Sequence, residues 1–307
     1  MIPPRGGTHP VEYTVSGRLT WEPTDRRPLS SRAPSSSFRA TVHGRKWQLR
    51  IVPDDAGTVS APAEGSTGRM LVHDYEVASH DGEWFYLVDS YESARRALPT
   101  IPAAGKGWRC RSLYPAFANG NDTLALWALY ASTEYFVQRS NNLVHPLWLN
   151  GSQSPSGEKL FVGKWSLSKT SPFLPFVIDV SAMEAPPTDT ATLSKSAAFP
   201  TNTALRVLES TNIGGLVLPT LSRMMYYVRA APTAGATEQT ITRSLQVIAT
   251  NVTATAAISD FVPTLPDPST LTEARPGGNS GVRLASLTTN RWPSETIVER
   301  LMEAGSP

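Results

Sequence analysis

An unbroken apolar run from Leu124 to Ala131 most constrains what this chain can fold into. Asn119, Gly120, Asn121 and Asp122 precede it, and such residues favour helix starts because their side chains or bare backbone satisfy orphan amides. A helix is therefore expected over residues 121–137. Leu124, Trp127, Ala128, Ala131 and Tyr135 share one stripe at helical spacing, and Leu126, Leu129 and Tyr130 widen it almost to the full circumference. A helix apolar all round must be buried on most sides. A membrane span needs roughly 18 or more apolar residues, so this run is expected to be a core helix held against a sheet.

Most of the other patterned segments alternate with a period of two. Val11, Tyr13, Val15, Leu19 and Trp21 fall on one face of an expected strand, opposite Glu12, Thr14, Ser16, Arg18 and Thr20, with Gly17 as a permitted bend. If Gly44-Arg45 makes a two-residue turn, Val42 pairs with Trp47, Ala40 with Leu49 and Phe38 with Ile51, which places three apolar pairs on one face. A second hairpin is expected about Asp81-Gly82, with Val77 opposite Tyr86, Tyr75 opposite Val88 and Ser79 opposite Trp84. Further strands are expected around Phe161 to Leu167, Phe176 to Val180, Leu216 to Leu218, Met224 to Val228, Thr240 to Ile258 and Val282 to Leu287. Pro293-Ser294 then introduces an amphipathic helix near 294–303 with a stripe of Ile297, Val298, Leu301 and Met302. The fold class expected is β-rich α+β, with an antiparallel sheet around the central apolar helix.

Composition narrows the domain organisation and the partners. The 26 prolines and 21 glycines suit long connections, expected near 24–37, 54–69 and 182–203. We expect a tail over 1–9, one β-rich domain over 10–303 and a short tail over 304–307. The 28 basic and 26 acidic residues are spread along the chain without the basic stripe that would answer a phosphate backbone, so nucleic acid is not an expected partner. The single cysteine, Cys110, provides neither an internal disulfide nor a cysteine-rich zinc site. No apolar leader region follows Met1, which leaves two alternatives: a cytoplasmic protein, or numbering that begins after a removed signal.

Few side chains suggest chemistry. His73-Asp74 and His80-Asp81 combine imidazole with carboxylate, as metal or proton-transfer sites do, and in the expected register Asp74 would face Asp89. Their alternative is a turn and a solvated face. Gly277-Gly278-Asn279-Ser280-Gly281 resembles the nucleophile loop of trypsin-like serine proteases over those residues, yet Val282 stands where a second glycine would be. Arg109 and Arg111 flank Cys110, but alternation in a strand sends both to the other face and leaves Trp108 and Ser112 beside the sulfur. No catalytic residue, metal ligand or cofactor is assigned on these patterns, and an enzyme is not the favoured reading.

The order of long antiparallel strands, one interrupting apolar helix, further strands ending in Gly-Gly-Leu-Val-Leu-Pro at 214–219 and a terminal helix resembles the bacterial outer-membrane lipoprotein carrier superfamily, over Val11 to Ala256. The resemblance implies a curved half-barrel with helices over its concave side. It also implies a periplasmic or cell-envelope address and a non-catalytic role in holding a hydrophobic or acylated ligand. On that reading the ligand walls are expected to include Val15, Trp21, Trp47, Leu49, Tyr86 and Val88, because apolar inner faces of this kind suit an acyl chain. Two other readings stay open: a structural or assembly subunit with a protein partner, and a hydrolase using His73, Asp74 or Ser280.

Overall fold

The structure, a computed structural model, describes residues 12–23, 35–54, 58–60, 69–71, 73–80, 84–97, 105–110, 121–131, 144–147, 160–167, 175–183, 203–214, 216–229, 239–255, 261–276 and 282–304. The chain begins with strands β1 (Glu12–Pro23), β2 (Ser35–His43) and β3 (Lys46–Pro53), then a short pair β4 (Thr58–Ser60) and β5 (Arg69–Leu71), then β6 (Asp74–Ser79) and β7 (Phe85–Ser90). Helix α1 (Glu92–Ala97) and strand β8 (Gly105–Cys110) lead to helix α2 (Asn121–Leu126), which runs on into a π-helical turn, Trp127–Ala131. Strands β9 (Val144–Leu147), β10 (Leu160–Leu167), β11 (Pro175–Met183), β12 (Thr203–Ile213), β13 (Leu216–Arg229), β14 (Gln239–Thr253), β15 (Ser269–Pro276) and β16 (Val282–Thr289) follow, before helix α3 (Glu295–Ala304).

Among the described residues, fourteen strands form one sheet in the order β16-β15-β8-β7-β6-β3-β2-β1-β14-β13-β12-β11-β10-β9, with β4-β5 as a separate pair. The two ends of that order do not meet, so the sheet is open rather than a closed barrel. Its pairings are antiparallel except β15 on β8, which run parallel. The first hairpin has the expected register, Phe38 opposite Ile51, Ala40 opposite Leu49 and Val42 opposite Trp47. Gly44 makes it possible, since its φ of 59° lies in the left-handed region that glycine enters without penalty. Gly17 has a different task. It sits where the pairing of β1 with β14 shifts by a residue, and an added Cβ would collide with the carbonyl oxygen of Ile248.

The sheet curves around the helix, as a distance argument shows. Cα atoms of Trp127–Ala131 come within 8 Å of β2, β3, β11 and β13. In the sheet order β3 and β11 are six spacings apart, roughly 29 Å if the sheet were flat. A five-residue turn about 7 Å long, with 8 Å of reach at each end, spans only roughly 23 Å. The strands must therefore bend toward the helix. Ala125 through Ala131 are all buried there, in one cluster with Tyr13, Val15, Phe38, Leu49, Val77, Leu87, Leu205, Leu218 and Leu245. The central core helix is the one that the apolar run implies, and the curved half-barrel is the one that the carrier-superfamily resemblance implies. The side chain of Leu124 and residues 132–140, including Tyr135, lie outside the described residues.

Several local expectations are corrected. Leu216–Arg229 is one strand rather than two, with Pro219 inside it, because the pairing of β12 with β13 is irregular at Glu209 and Ser210, opposite Pro219. The connection near 54–69 is not irregular throughout but contributes β4 and the start of β5. Ser35 to Ser37, placed in a loop by composition, pair with β1. Helix α3 does not join α2 over the concave side. Its buried residues Val298 and Met302 pack on Ala285, which lies opposite Glu273, and that cross-strand row continues through Arg109, Tyr86, Ala78 and Gln48 on the other face of the sheet. Ile297, assigned to the helix's apolar stripe, is exposed.

Candidate functional site

The concave side is built by alternation. Val15 and Trp21 point inward from β1, Trp47 and Leu49 from β3, and all four belong to the same buried cluster as the helix. Around them stand Phe38 and Val42 from β2, Phe85 and Leu87 from β7, and Leu245 and Val247 from β14. The Trp47 ring lies 6.0 Å from that of Phe85 in a tilted contact. The walls are thus aromatic and branched aliphatic, an environment that favours hydrocarbon and penalises any unpaired polar group.

Tyr130, in the π turn, ties the helix to this wall. Its ring stacks on Phe38 with centroids 5.7 Å apart. Its hydroxyl donates to the Pro219 carbonyl oxygen on β13 at 3.1 Å, and its own carbonyl oxygen accepts from the Tyr13 hydroxyl on β1. Burial, with a smaller contribution from Tyr13, pushes the Tyr130 phenol well above its ordinary range, so it remains a donor at any physiological pH. One residue thereby bridges three strands and the helix. The π turn itself replaces the usual i to i+4 bonding by a wider loop, an arrangement found only in short stretches.

Tyr86 and Val88 are not part of that wall. The second hairpin pairs Val77 with Leu87, Ala78 with Tyr86 and Ser79 with Phe85, one residue away from the register expected from a turn at Asp81-Gly82. A slip of one residue turns every side chain of the strand to the other face. Phe85 and Leu87 therefore face the helix. Tyr86 instead meets Trp292 edge-on with centroids 5.0 Å apart, on the side that carries α3. The sequence could not fix this register because Phe85, Tyr86, Leu87 and Val88 are apolar on both faces of the strand. Residues 81–83, where the turn was placed, lie outside the described residues.

The same slip dissolves the expected carboxylate pair. Asp74 lies opposite Ser90, and Asp89 lies opposite Tyr75. Asp89 instead takes His73, with 2.5 Å between Oδ1 and Nδ1, and the imidazole is held between the rings of Tyr75 and Tyr91 at 5.9 and 4.2 Å. Burial raises the Tyr91 phenol, and the charge of Asp89 adds to that shift. Asp74 receives the backbone N–H of Ser93 at 2.7 Å and so caps α1. His73 and Asp74 are therefore committed to different partners rather than to one another. Ser280 and its glycine-rich loop lie outside the described residues, as do Arg111 and Ser112. Trp108 and Arg109 occupy opposite faces as alternation requires, Trp108 against the concave cluster.

Sequence reasoning missed an ion pair. Arg109 donates from Nε to Glu273 Oε2 at 2.8 Å and from Nη1 to the Pro293 carbonyl oxygen at 3.0 Å, and its guanidinium lies 5.5 Å from the Trp84 ring. Glu273 is fully buried. The pair crosses the parallel β8–β15 contact and anchors the residue before Ser294, whose carbonyl oxygen accepts the first backbone bonds of α3. The available signal was Glu273 itself, a lone carboxylate at the alternation position of Leu271.

Among the described residues, no three metal-binding side chains gather in one place, and no helix is long and apolar enough to cross a membrane. No family model matches the chain, and no curated protein matches it significantly. Among solved structures it is similar to a LolA superfamily protein from Nitrosomonas europaea, at 11% identity and a TM-score of 0.34 over 83% of this chain and 88% of that one. It is also similar to a DUF1329 family protein from Desulfovibrio piger, at 12% identity and a TM-score of 0.39 over 82% of this chain and 88% of that one. Both are weak likenesses of arrangement.

Proposed function

We propose that this chain is a non-catalytic binding or carrier protein that holds a hydrophobic or acylated ligand against the concave face of its sheet. The observation that carries this reading is the open, curved sheet whose hollow is walled by Val15, Trp21, Trp47 and Leu49 and occupied by a short helix ending in a π turn. An open sheet can part from an inserted helix without breaking a closed ring of ladder bonds. An acyl chain taking the place of Trp127 and Leu129 would meet the same apolar walls. Tyr86 and Val88 are excluded from this site by their face. The cell envelope is the address we propose, in keeping with the carrier-like order of strands and helices.

The test is native mass spectrometry with lipid extraction, joined to titration with an apolar fluorophore. A copurified acyl species, or saturable one-to-one fluorophore binding that Trp47→Asp lowers in a folded variant, supports the carrier. No copurified apolar molecule and no saturation would overturn it. The second reading, a structural or assembly subunit, draws on the complete burial of those same walls against the helix. A defined oligomer without bound lipid would favour it.

A further inference from the structure

The convex side carries a cavity of its own. Between β2, β3, β6 and the segment 262–266 lies a space of about 530 Å³, within the range of small-molecule sites. Its lining is polar and divided by charge. Arg39 on β2 and Arg50 on β3 lie directly opposite each other, and Arg50 in turn lies opposite Glu76 on β6, with Asp74 two residues along. Arg50 and Glu76 are near neighbours whose charges offset one another, and Glu76 also accepts from the Gln48 amide. Glu92, also in the lining, pairs with Arg96 at 3.4 Å. That leaves Arg39, which has no ion pair among the described residues, on one wall and Asp74 on the other.

Two buried polar atoms in this lining lack partners among the described residues. Asp74 is 7% exposed, and with Oδ2 engaged by the Ser93 N–H, its Oδ1 has no hydrogen bond. Thr41 is 1% exposed, and its hydroxyl has none either. Buried polar groups are nearly always satisfied, and an unsatisfied carboxylate oxygen is among the costliest exceptions. A carboxylate calls for a donor, an unpaired guanidinium calls for an anion, and the hydroxyl can serve either.

We propose that this cavity binds a small zwitterion, with its ammonium group on Asp74 and its acidic group on Arg39. Asp74 and Arg39 are two strands and two residues apart, roughly 12 Å between Cα atoms, so once both side chains reach inward the ligand's charges stand roughly 4–7 Å apart. An ω-amino acid and an aminoalkyl phosphate share this chemistry.

Isothermal titration calorimetry of the full chain with phosphoethanolamine, 5-aminopentanoate and their single-sign fragments ethanolamine, inorganic phosphate, pentylamine and pentanoate tests the proposal. At least one zwitterion should bind one-to-one, roughly tenfold more tightly than either of its fragments, and which one binds identifies the acidic group. Arg39→Gln should weaken it by roughly tenfold, and since Arg39 is exposed and forms no ion pair among the described residues, that variant keeps the fold. Asp74→Asn should weaken it similarly. If that variant loses the α1 cap and fails to fold, Arg39→Gln alone decides. Absence of binding by both zwitterions at millimolar concentration, or unchanged affinity in Arg39→Gln, would overturn the proposal. Occupancy of the hollow by an apolar fluorophore should leave these affinities intact, which separates failure here from failure of the carrier reading.

Discussion

Tyr130→Phe isolates the tether between the helix and the sheet. The substitution keeps the ring and its stack on Phe38, and it keeps the backbone carbonyl that accepts from Tyr13. Only the hydroxyl bond to the Pro219 carbonyl oxygen is lost. A buried hydrogen bond contributes about 1 kcal/mol net, rising to about 3 kcal/mol if the acceptor is left unsatisfied. With an unfolding entropy of about 2.1 cal/mol/K per residue, a cooperative unit of 307 residues shifts by about 1.5 °C per kcal/mol. The expected fall in Tm is then about 1.5–4.5 °C by differential scanning calorimetry. On the carrier reading the same variant should bind an apolar fluorophore more tightly, because helix release costs less. Unchanged Tm would mean that Tyr130 does not tether the helix. A lower Tm with unchanged fluorophore affinity would separate the tether from ligand access and count against helix displacement.

Trp127→Ala should cost more, about 3–5 kcal/mol, the range for an aromatic truncated in a core; chemical denaturation that finds little change would place the helix at the surface. Glu273→Ala should destabilise by about 3–5 kcal/mol, because it leaves the Arg109 guanidinium buried without its carboxylate, and equal stability of the variant would refute a structural role for the pair. Glu76 gives a pH signature. Burial raises its folded pKa above the unfolded value, against the Gln48 hydrogen bond and the nearby Arg50. The folded state therefore holds this proton more tightly, and stability is lost as pH rises from the unfolded value of 4.5 through the folded one. Glu76→Gln should thus raise Tm at neutral pH, with the gain vanishing below the unfolded value, and a gain of equal size at both pH values would refute the assignment.

By itself the sequence determined most of the strands, the core helix and the register of one hairpin, but it did not mark β4, β5, β9, β12 or β15. Alternation in β1 and β2 has one apolar and one polar face, so only one register buries the right set, and Gly44 fixes where the chain reverses. The apolar circumference of Leu126 to Ala131 likewise required a helix buried on most sides, which the curved sheet supplies. What only the tertiary structure decided were the features set by distant partners. Phe85 to Val88 are apolar on both faces, so their register, and with it the exclusion of Tyr86 and Val88 from the hollow, came from packing against Trp47 on one side and Trp292 on the other. The face on which α3 docks depended on the parallel pairing of β15 with β8, a contact between segments more than a hundred residues apart that no local pattern encodes. The same pairing brought Glu273 to Arg109 and laid residues 262–266 beside β8, closing one side of the convex cavity. Local periodicity determines which face of a strand is apolar, whereas long-range pairing determines what that face meets.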